Sequence, residues 1–436
     1  MTSTPSAVAR SMRHVAPDVK SSATLGAGEL DLSGILAARA LRVVFQPIID
    51  LDQLTVIGYE ALARGPRENA LEQPVALFAA ARRDGLLGEL DNACREHAFR
   101  AAIQSDRLAP LTLFVNVEPE IIGGAPLSDL LLIAASAPRE LKVVFEITER
   151  AIAANPAELL RTVERIRDHG WAIALDDVGA DPASLAFMSL LRPEVVKLDL
   201  RLIHQRPCVE AATIMHAVNA YTENSGALLL AEGIETSAHL DAARALGAHY
   251  GQGWLFGRPS STPSTLPVSR VELPAVPSER SADVSPFSCL PAGARTQRIS
   301  QTIMCALSRK LEQEALGHGE STIIAAAFQQ SRHFTAATAV RYASLVEHAA
   351  FVCVIGEGLA QTPIPGVRGA TLPLDDPLRD EWSVIVIAPH FCAALLARDL
   401  GDDGPDDTRR FEYALTYRRE AVTRAACALI ARASAA

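Results

Sequence analysis

The chain lacks most of what would tie it to a membrane, a disulfide framework or a nucleic acid. Nowhere in its 436 residues is there a run near the roughly 18 consecutive apolar residues that a membrane-spanning helix needs. Its first stretch, Met1 to Ser22, holds Ser, Thr, Arg and Pro without an apolar core. It therefore does not read as a secretory leader, and residues 1–32 are expected to be a disordered lead-in. Cys94, Cys208, Cys289, Cys305, Cys353, Cys392 and Cys427 are odd in number, scattered, and without a CxxC pair. That spacing argues against a disulfide framework and a zinc site, and favours a reducing cytoplasm. A basic surface is also missing. The net charge of −10 argues against DNA as a partner, because phosphate contacts need lysine and arginine in excess. A small anion held through metal ions remains compatible with it. No repeat of fixed period occurs, and no GxGxxG follows a first strand, so a doubly wound dinucleotide fold has no support.

What is present is an alternation. Short β-branched runs at Val43–Ile49, Val56–Tyr59, Leu111–Val117, Val143–Ile147, Ala172–Leu175, Val195–Leu198, Leu228–Leu230 and near Tyr250–Leu255 are separated by helical stretches such as Pro156–His169 and Ala238–Leu246. This pattern predicts an α/β fold, a (β/α)8 TIM-like barrel over residues 33–261. Prolines at 263, 267, 274, 277, 286 and 291 among serines mark residues 262–296 as a linker with no core of its own. Residues 297–436 read as a smaller α/β or α+β domain. Its expected helices are Gln297–Ala315, Thr335–His348 and Phe411–Ala433, and its expected strands Phe351–Ile355 and Trp382–Ala388.

The barrel strands end in polar residues: Glu60, Asn116, Glu146, Asp176 with Asp177, Lys197, Glu232 and Gln252. Strand C-termini of a barrel converge on one face, where active sites sit. Taken singly, each has a plain reading: Glu60 or Glu146 as a helix cap or ion pair, Asn116 as a turn amide, Lys197 as a surface charge. That reading has to hold at one strand end after another. Many carboxylates meeting in one cleft need cations. Oxygen donors suit hard ions such as Mg²⁺ or Mn²⁺ better than zinc, and adjacent aspartates suit two ions set to cleave a phosphodiester.

These residues resemble a family. Phe45-Gln46-Pro47-Ile48 and Glu60-Ala61-Leu62-Ala63-Arg64 are similar to the opening of the EAL domain. Val115-Asn116, Phe145 to Glu149, Asp176-Asp177, Lys197-Leu198-Asp199, Ala231 to Thr236 and Gln252-Gly253 follow in the family's order. The resemblance implies a cytoplasmic, often dimeric barrel that linearises cyclic di-GMP to pGpG with two ions, Mg²⁺ or Mn²⁺. By position it implies Glu60, Asn116, Glu146, Asp176, Asp177 and Glu232 as metal ligands. Lys197, Glu232 and Gln252 would then serve catalysis, with Lys197 contacting the attacking water and Glu232 deprotonating it. Arg64 and Gln46 would meet substrate, and Glu149 would anchor a loop. That loop departs from the family. Where relatives read Asp-Asp-Phe-Gly-Thr-Gly-Tyr-Ser-Ser-Leu, this chain has Asp176-Asp177-Val178-Gly179-Ala180-Asp181-Pro182-Ala183-Ser184-Leu185. In the family the loop links dimer contact to metal binding, so weak or differently controlled activity is expected. A catalytically silent cyclic di-GMP receptor is the alternative. An unrelated two-metal phosphatase would keep the carboxylates but not the Glu-Ala-Leu-Ala-Arg context.

The C-terminal region is similar to the DICT sensory domain at Phe334-Thr335, Thr338, Tyr342, Asp375 to Leu378, Glu381-Trp382, Pro389 to Phe391, Ala397 to Asp399 and Arg409 to Phe411. A small ligand or protein partner is implied there, without its identity.

Overall fold

The computed structural model of the chain describes residues 30–104, 111–118, 141–148, 155–205, 208–261, 266–278, 280–281, 284–402 and 409–433. Helix α1 (Leu32–Ala37), capped by the Asp31 carboxylate on the Gly34 amide, leads into β1 (Arg42–Asp50) and β2 (Thr55–Arg64). Then come α2 (Pro74–Asp84), α3 (Leu87–Ile103), β3 (Thr112–Asn116), β4 (Lys142–Ile147), α4 (Pro156–Asp168), β5 (Ala172–Val178) and α5 (Ala183–Leu191). β6 (Val195–Leu198), α6 (Leu200–His204), α7 (Val209–Ser225), β7 (Leu228–Ala231), α8 (Ser237–Ala245) and β8 (Tyr250–Gln252) complete the unit. The eight strands close a barrel in sequence order, as the alternation predicts.

One strand breaks the regular repeat. β1 is antiparallel to β2 and to β8, whereas successive pairs from β2 to β8 are parallel. The cause is the short span Leu51–Leu54 between the two strands, since a parallel crossover takes about a dozen residues or more. Asp50 closes the turn by accepting from the amides of Asp52 and Gln53, and Leu54 takes a left-handed φ of 54°. The barrel interior packs Ile48, Ile57, Phe114, Val144, Ala174, Val195 and Leu230. Val271 joins this cluster, and its carbonyl accepts from Lys142 Nζ at 2.8 Å. The segment read as a linker thus packs against the end of the barrel where β4 begins. Phe287 and Cys289, also from that segment, are buried as well.

The second unit is an α/β layer structure. Its strands are β9 (Gln297–Ser300), β10 (Ile323–Gln330), β11 (Phe351–Glu357), β12 (Arg368–Ala370), β13 (Glu381–Ile387), β14 (Cys392–Asp399) and β15 (Arg410–Thr416). They form one sheet in the order β12-β11-β10-β13-β14-β15-β9. Alternate residues serve opposite faces. Ile324, Ala326, Val384 and Leu395 meet helices α9 (Gln301–Leu316) and α10 (Ala336–Val346) through Met304, Leu311 and Tyr342. Ile323, Ala325, Ile385 and Ala394 share a cluster with α11 (Arg419–Ile430) through Val422, Ala425 and Leu429.

Several elements here differ from expectation. Gln297–Ser300 and Arg410–Thr416 are strands rather than helix, because they pair with each other and β15 pairs with β14. Sheet context outweighs local propensity at such short segments. β10 and β14 are additional strands. Their alanine-rich apolar runs carry no period that separates a buried strand from a buried helix.

The two units share a continuous apolar core. Phe187 of α5 meets Phe351 edge to face at 6.3 Å, Arg419 Nη1 donates to Ser189 Oγ at 3.0 Å, and Ser321 Oγ donates to the Pro182 carbonyl at 2.9 Å. Among the described residues, no helix is long and apolar enough to cross a membrane.

Arg167 on α4 ties this region together. Its guanidinium reaches Glu194 at 2.9 Å and the carbonyls of Leu191 and Arg192, while Glu194 also accepts from the Ile173 amide. Both side chains are nearly enclosed, 9% and 3% exposed. Arg167→Ala strands a buried carboxylate, and the expected cost is about 3 kcal/mol. Urea denaturation followed by circular dichroism should show a clearly lower midpoint, and a Glu194→Gln, Arg167→Ala double variant should recover part of it.

Candidate functional site

Strand geometry carries the polar residues to one face of the barrel. Glu60 lies in β2 opposite Gln46 on β1 and Phe114 on β3, and Asn116 at the end of β3 stands opposite Glu146 on β4. Lys197 on β6 is level with Leu230, Glu232 follows β7, and Gln252 ends β8 opposite Ile48. Neighbouring residues of a regular strand point to opposite faces, so Asp176 and Asp177 could not both serve one cleft without an irregularity. β5 supplies it. Its register shifts between Leu175 and Val178, and Asp177 has a φ of 54°. A left-handed non-glycine residue costs roughly 1–3 kcal/mol, and aspartate tolerates it better than most. The bulge brings carboxylate oxygens of Asp176, Asp177 and Glu232 within 4.8 Å of one another.

At the centre is Lys197, 1% exposed. Its Nζ lies 2.7 Å from Glu146, 3.0 Å from Asp176 and 2.7 Å from Glu232. Glu60 is held from the other side, by Asn116 Nδ2 at 2.8 Å and Gln252 Nε2 at 2.5 Å. Gln46 sits behind this pair, accepting from Gln252 at 3.0 Å and donating to the Gly257 carbonyl at 3.4 Å. It braces Gln252 within the barrel wall. Arg64, at the rim of β2, donates to the Ala63 carbonyl and keeps the rest of its fork half-buried near Arg42. Glu149 lies outside the described residues.

Charge is out of balance in this cleft. Burial alone would lower the pKa of Lys197, but Asp176, Glu146, Glu232 and Glu60 raise it well above the ordinary range. Glu60 is subject to the same burial. Lys197 and the amides of Gln252 and Asn116 outweigh it and hold the carboxyl low. One ammonium cannot do this for every carboxylate. Burial and the neighbouring Glu60 push Glu146 well up, and burial with Asp176 pushes Glu232 to about 8 despite Lys197. The donor set is therefore short of positive charge and consists of oxygen, which is the composition that fits hard divalent cations. Glu146 is buried against the Glu60 carboxyl, a pairing of two acids that a nearby cation would relieve.

One residue on this face went unread in the sequence. Trp254, two positions past Gln252, is 53% exposed, with the Arg258 guanidinium 4.1 Å from its ring centre. An exposed indole beside a strand end was the available signal.

Two family models match the chain. Residues 29–259 match the EAL domain, and residues 288–400 match the sensory domain in diguanylate cyclases and two-component systems, DICT. The probable cyclic di-GMP phosphodiesterase PdeB of Escherichia coli is 27% identical over 231 residues, covering 52% of this chain and 44% of that protein. The cyclic di-GMP phosphodiesterase NbdA of Pseudomonas aeruginosa is 29% identical over 255 residues, covering 56% and 31%. A solved structure of Klebsiella pneumoniae BlrP1 with manganese and cyclic di-GMP is 26% identical, with a TM-score of 0.45 over 51% of this chain and 56% of that one. The chain spans less than half the length of the two curated relatives named here.

The charge imbalance gives a pH test. Glu146 and Glu232 bind protons more tightly folded than unfolded, so in metal-free protein they stabilise the fold at low pH. That contribution is lost as pH rises from the unfolded carboxyl range, about 4.3, toward 8. Lys197→Met should steepen the fall in thermal midpoint between pH 5 and 8, and Glu232→Gln should flatten it. Parallel profiles for all three proteins would refute the assignment.

Proposed function

Because this chain belongs to the EAL-domain family, we propose that its barrel hydrolyses cyclic di-GMP to linear pGpG with the help of two divalent ions, Mg²⁺ or Mn²⁺. The observation that carries this reading is the β5 bulge, which turns Asp176 and Asp177 toward Glu232 within 4.8 Å. A backbone irregularity that concentrates negative charge is costly unless cations use it.

In this reading Glu60, Asn116, Glu146, Asp176, Asp177 and Glu232 hold the ions. Asn116 gives its amide hydrogen to Glu60, which leaves its oxygen for a cation. Divalent ions there would lower the pKa of a bound water and offset charge building on the phosphoryl oxygens. The protein's own part is to orient that water, accept its proton and hold the substrate phosphate. Bound ions would relieve Glu232 of the proton that burial and Asp176 favour in the metal-free cleft, leaving its carboxylate to accept the proton of that water. Lys197 would orient the attacking water. The three carboxylates around it already match its three N–H donors, so that role requires one carboxylate to turn toward an ion. Glu232, the most exposed of the three, is the natural choice. Gln252 and Gln46 keep Glu60 in position, and Arg64 offers a fork for a substrate phosphate. A homodimer through the barrel belongs to the same reading.

The C-terminal unit has a route to this chemistry. The loop after Asp177 is a fixed turn, in which Ala180 donates to the Asp177 carbonyl and Asp181 accepts from the Ala183 amide. Ser321 then grips the Pro182 carbonyl, and Arg419 and Phe351 hold α5. The C-terminal domain would thus set the position of Asp177. The same tight turn favours a second reading, in which the chain binds cyclic di-GMP without cleaving it and signals through the C-terminal domain.

Purified protein with cyclic di-GMP and Mn²⁺, assayed for pGpG, separates the two readings. Turnover is expected, and Glu60→Ala should lower both Mn²⁺ affinity and turnover at least tenfold. Tight binding of cyclic di-GMP with no pGpG would select the receptor. For the regulatory route, Arg419→Ala should change kcat more than threefold while Mn²⁺ affinity stays within twofold. Unchanged kcat would remove the proposed control.

A further inference from the structure

We propose that His204, at the end of the short helix after β6, is a positioning residue that holds the backbone of Glu232 through the Gly233 carbonyl. The inference rests on the hydrolytic reading of the barrel and deepens it. His204 Nε2 lies 2.6 Å from that carbonyl oxygen, although 29 positions separate the two residues. A carbonyl only accepts, so the hydrogen of this ring is assigned to Nε2. The bond joins the loop after β6 to the loop after β7, and its far end is one residue from Glu232.

Glu232 needs such a holder because of its neighbour. Gly233 has a φ of 68°, and glycine leaves the backbone freer than any other residue does. A side chain cannot replace it, since a Cβ there would meet Leu200 Cβ at 2.6 Å. That close approach of α6 is what lets His204 reach the carbonyl. The peptide after Gly233 is then gripped at both ends. His204 takes its oxygen, and its N–H, on Ile234, donates to the Gln252 carbonyl at 3.0 Å. On the other side, the Glu232 amide donates to the Leu198 carbonyl at 3.2 Å. Glu232 is the carboxylate that has to turn from Lys197 toward an ion. A side chain that moves between two partners needs a backbone that does not.

The ring of His204 is itself placed. It stacks on His239 of α8, with centroids 4.1 Å apart and planes 28° from parallel. His239 Nδ1 accepts from the Glu235 amide at 3.3 Å, and the His239 amide donates to Thr236 Oγ1, the N-cap of α8. The two stacked rings therefore hold residues 233 and 235, on either side of Ile234. Neither ring belongs to the group of Asp176, Asp177 and Glu232 that could hold an ion, so the pair acts by position.

Full-length protein carrying His204→Ala or His204→Gln, assayed with cyclic di-GMP and Mn²⁺, tests this. His204 is exposed, so both variants should keep the parent's circular dichroism. Removing the donor should lower kcat about tenfold or more while KM stays within about twofold. His204→Gln, whose amide nitrogen can stand near the place of Nε2, should recover most of the loss. Hydrogen exchange supplies a readout that needs no turnover. The amides of residues 232–236 should exchange about tenfold faster in His204→Ala and near the parent's rate in His204→Gln. A His204→Ala protein with the parent's kcat, or with the parent's protection in this segment, would overturn the proposal, as would equal losses in both variants. A parent that releases no pGpG would overturn the hydrolytic reading instead, and exchange alone would then decide whether His204 holds the loop.

Discussion

The barrel face depends on one buried ammonium. Lys197 is sealed inside the wall, and the carboxylates of Glu146, Asp176 and Glu232 all converge on it. A charge so deeply placed is tolerable only because its partners are equally placed, and each partner is tolerable only because of it. The arrangement fixes where negative charge can collect, and it leaves a surplus. The surplus raises the pKa of Glu146 and of Glu232, as expected of a site short of positive charge.

The second constraint is geometric. A strand offers one side chain in two to a given face, and the barrel meets this limit by using a different strand for almost every polar residue. β5 contributes two adjacent carboxylates, and it does so through a register shift and a left-handed aspartate. The antiparallel β1 matters for a related reason. The tight Leu51–Leu54 turn reverses it, setting Gln46 opposite Glu60 and beside Gln252, so that two amides in adjacent strands brace one carboxylate.

Much of this was legible in the sequence. Apolar, β-branched runs that each end in a polar residue marked the strands of the barrel within a residue or two for most of them, and with them Glu60, Asn116, Glu146, Lys197 and Glu232. The reversal of β1 was legible too, in the short gap between its run and the next, but an expectation of uniform repetition hid it. Other features could not be read. The left-handed conformation of Asp177 leaves no trace in residue type, and the bracing role of Gln46 depends on a partner 206 positions away. In the C-terminal unit, alanine-rich runs such as Ile323–Phe328 serve a buried strand as well as a buried helix, so β10 and β14 emerged only with their neighbours in the sheet.

The contact between the two units changes what the proline-rich segment does. Proline and serine disfavour regular structure across residues 262–296, yet the irregular path of this segment buries Val271 against the barrel interior and Phe287 against the C-terminal unit. A flexible tether would let the domains sample many orientations. A segment pinned at both ends, beside an α11 that packs on α5, leaves few. Restricted orientation keeps Ser321 on the Pro182 carbonyl, which belongs to the turn that begins at Asp177. The altered loop sequence fits the same logic. Asp181 and Pro182 exchange backbone freedom for a defined turn that a neighbouring domain can hold.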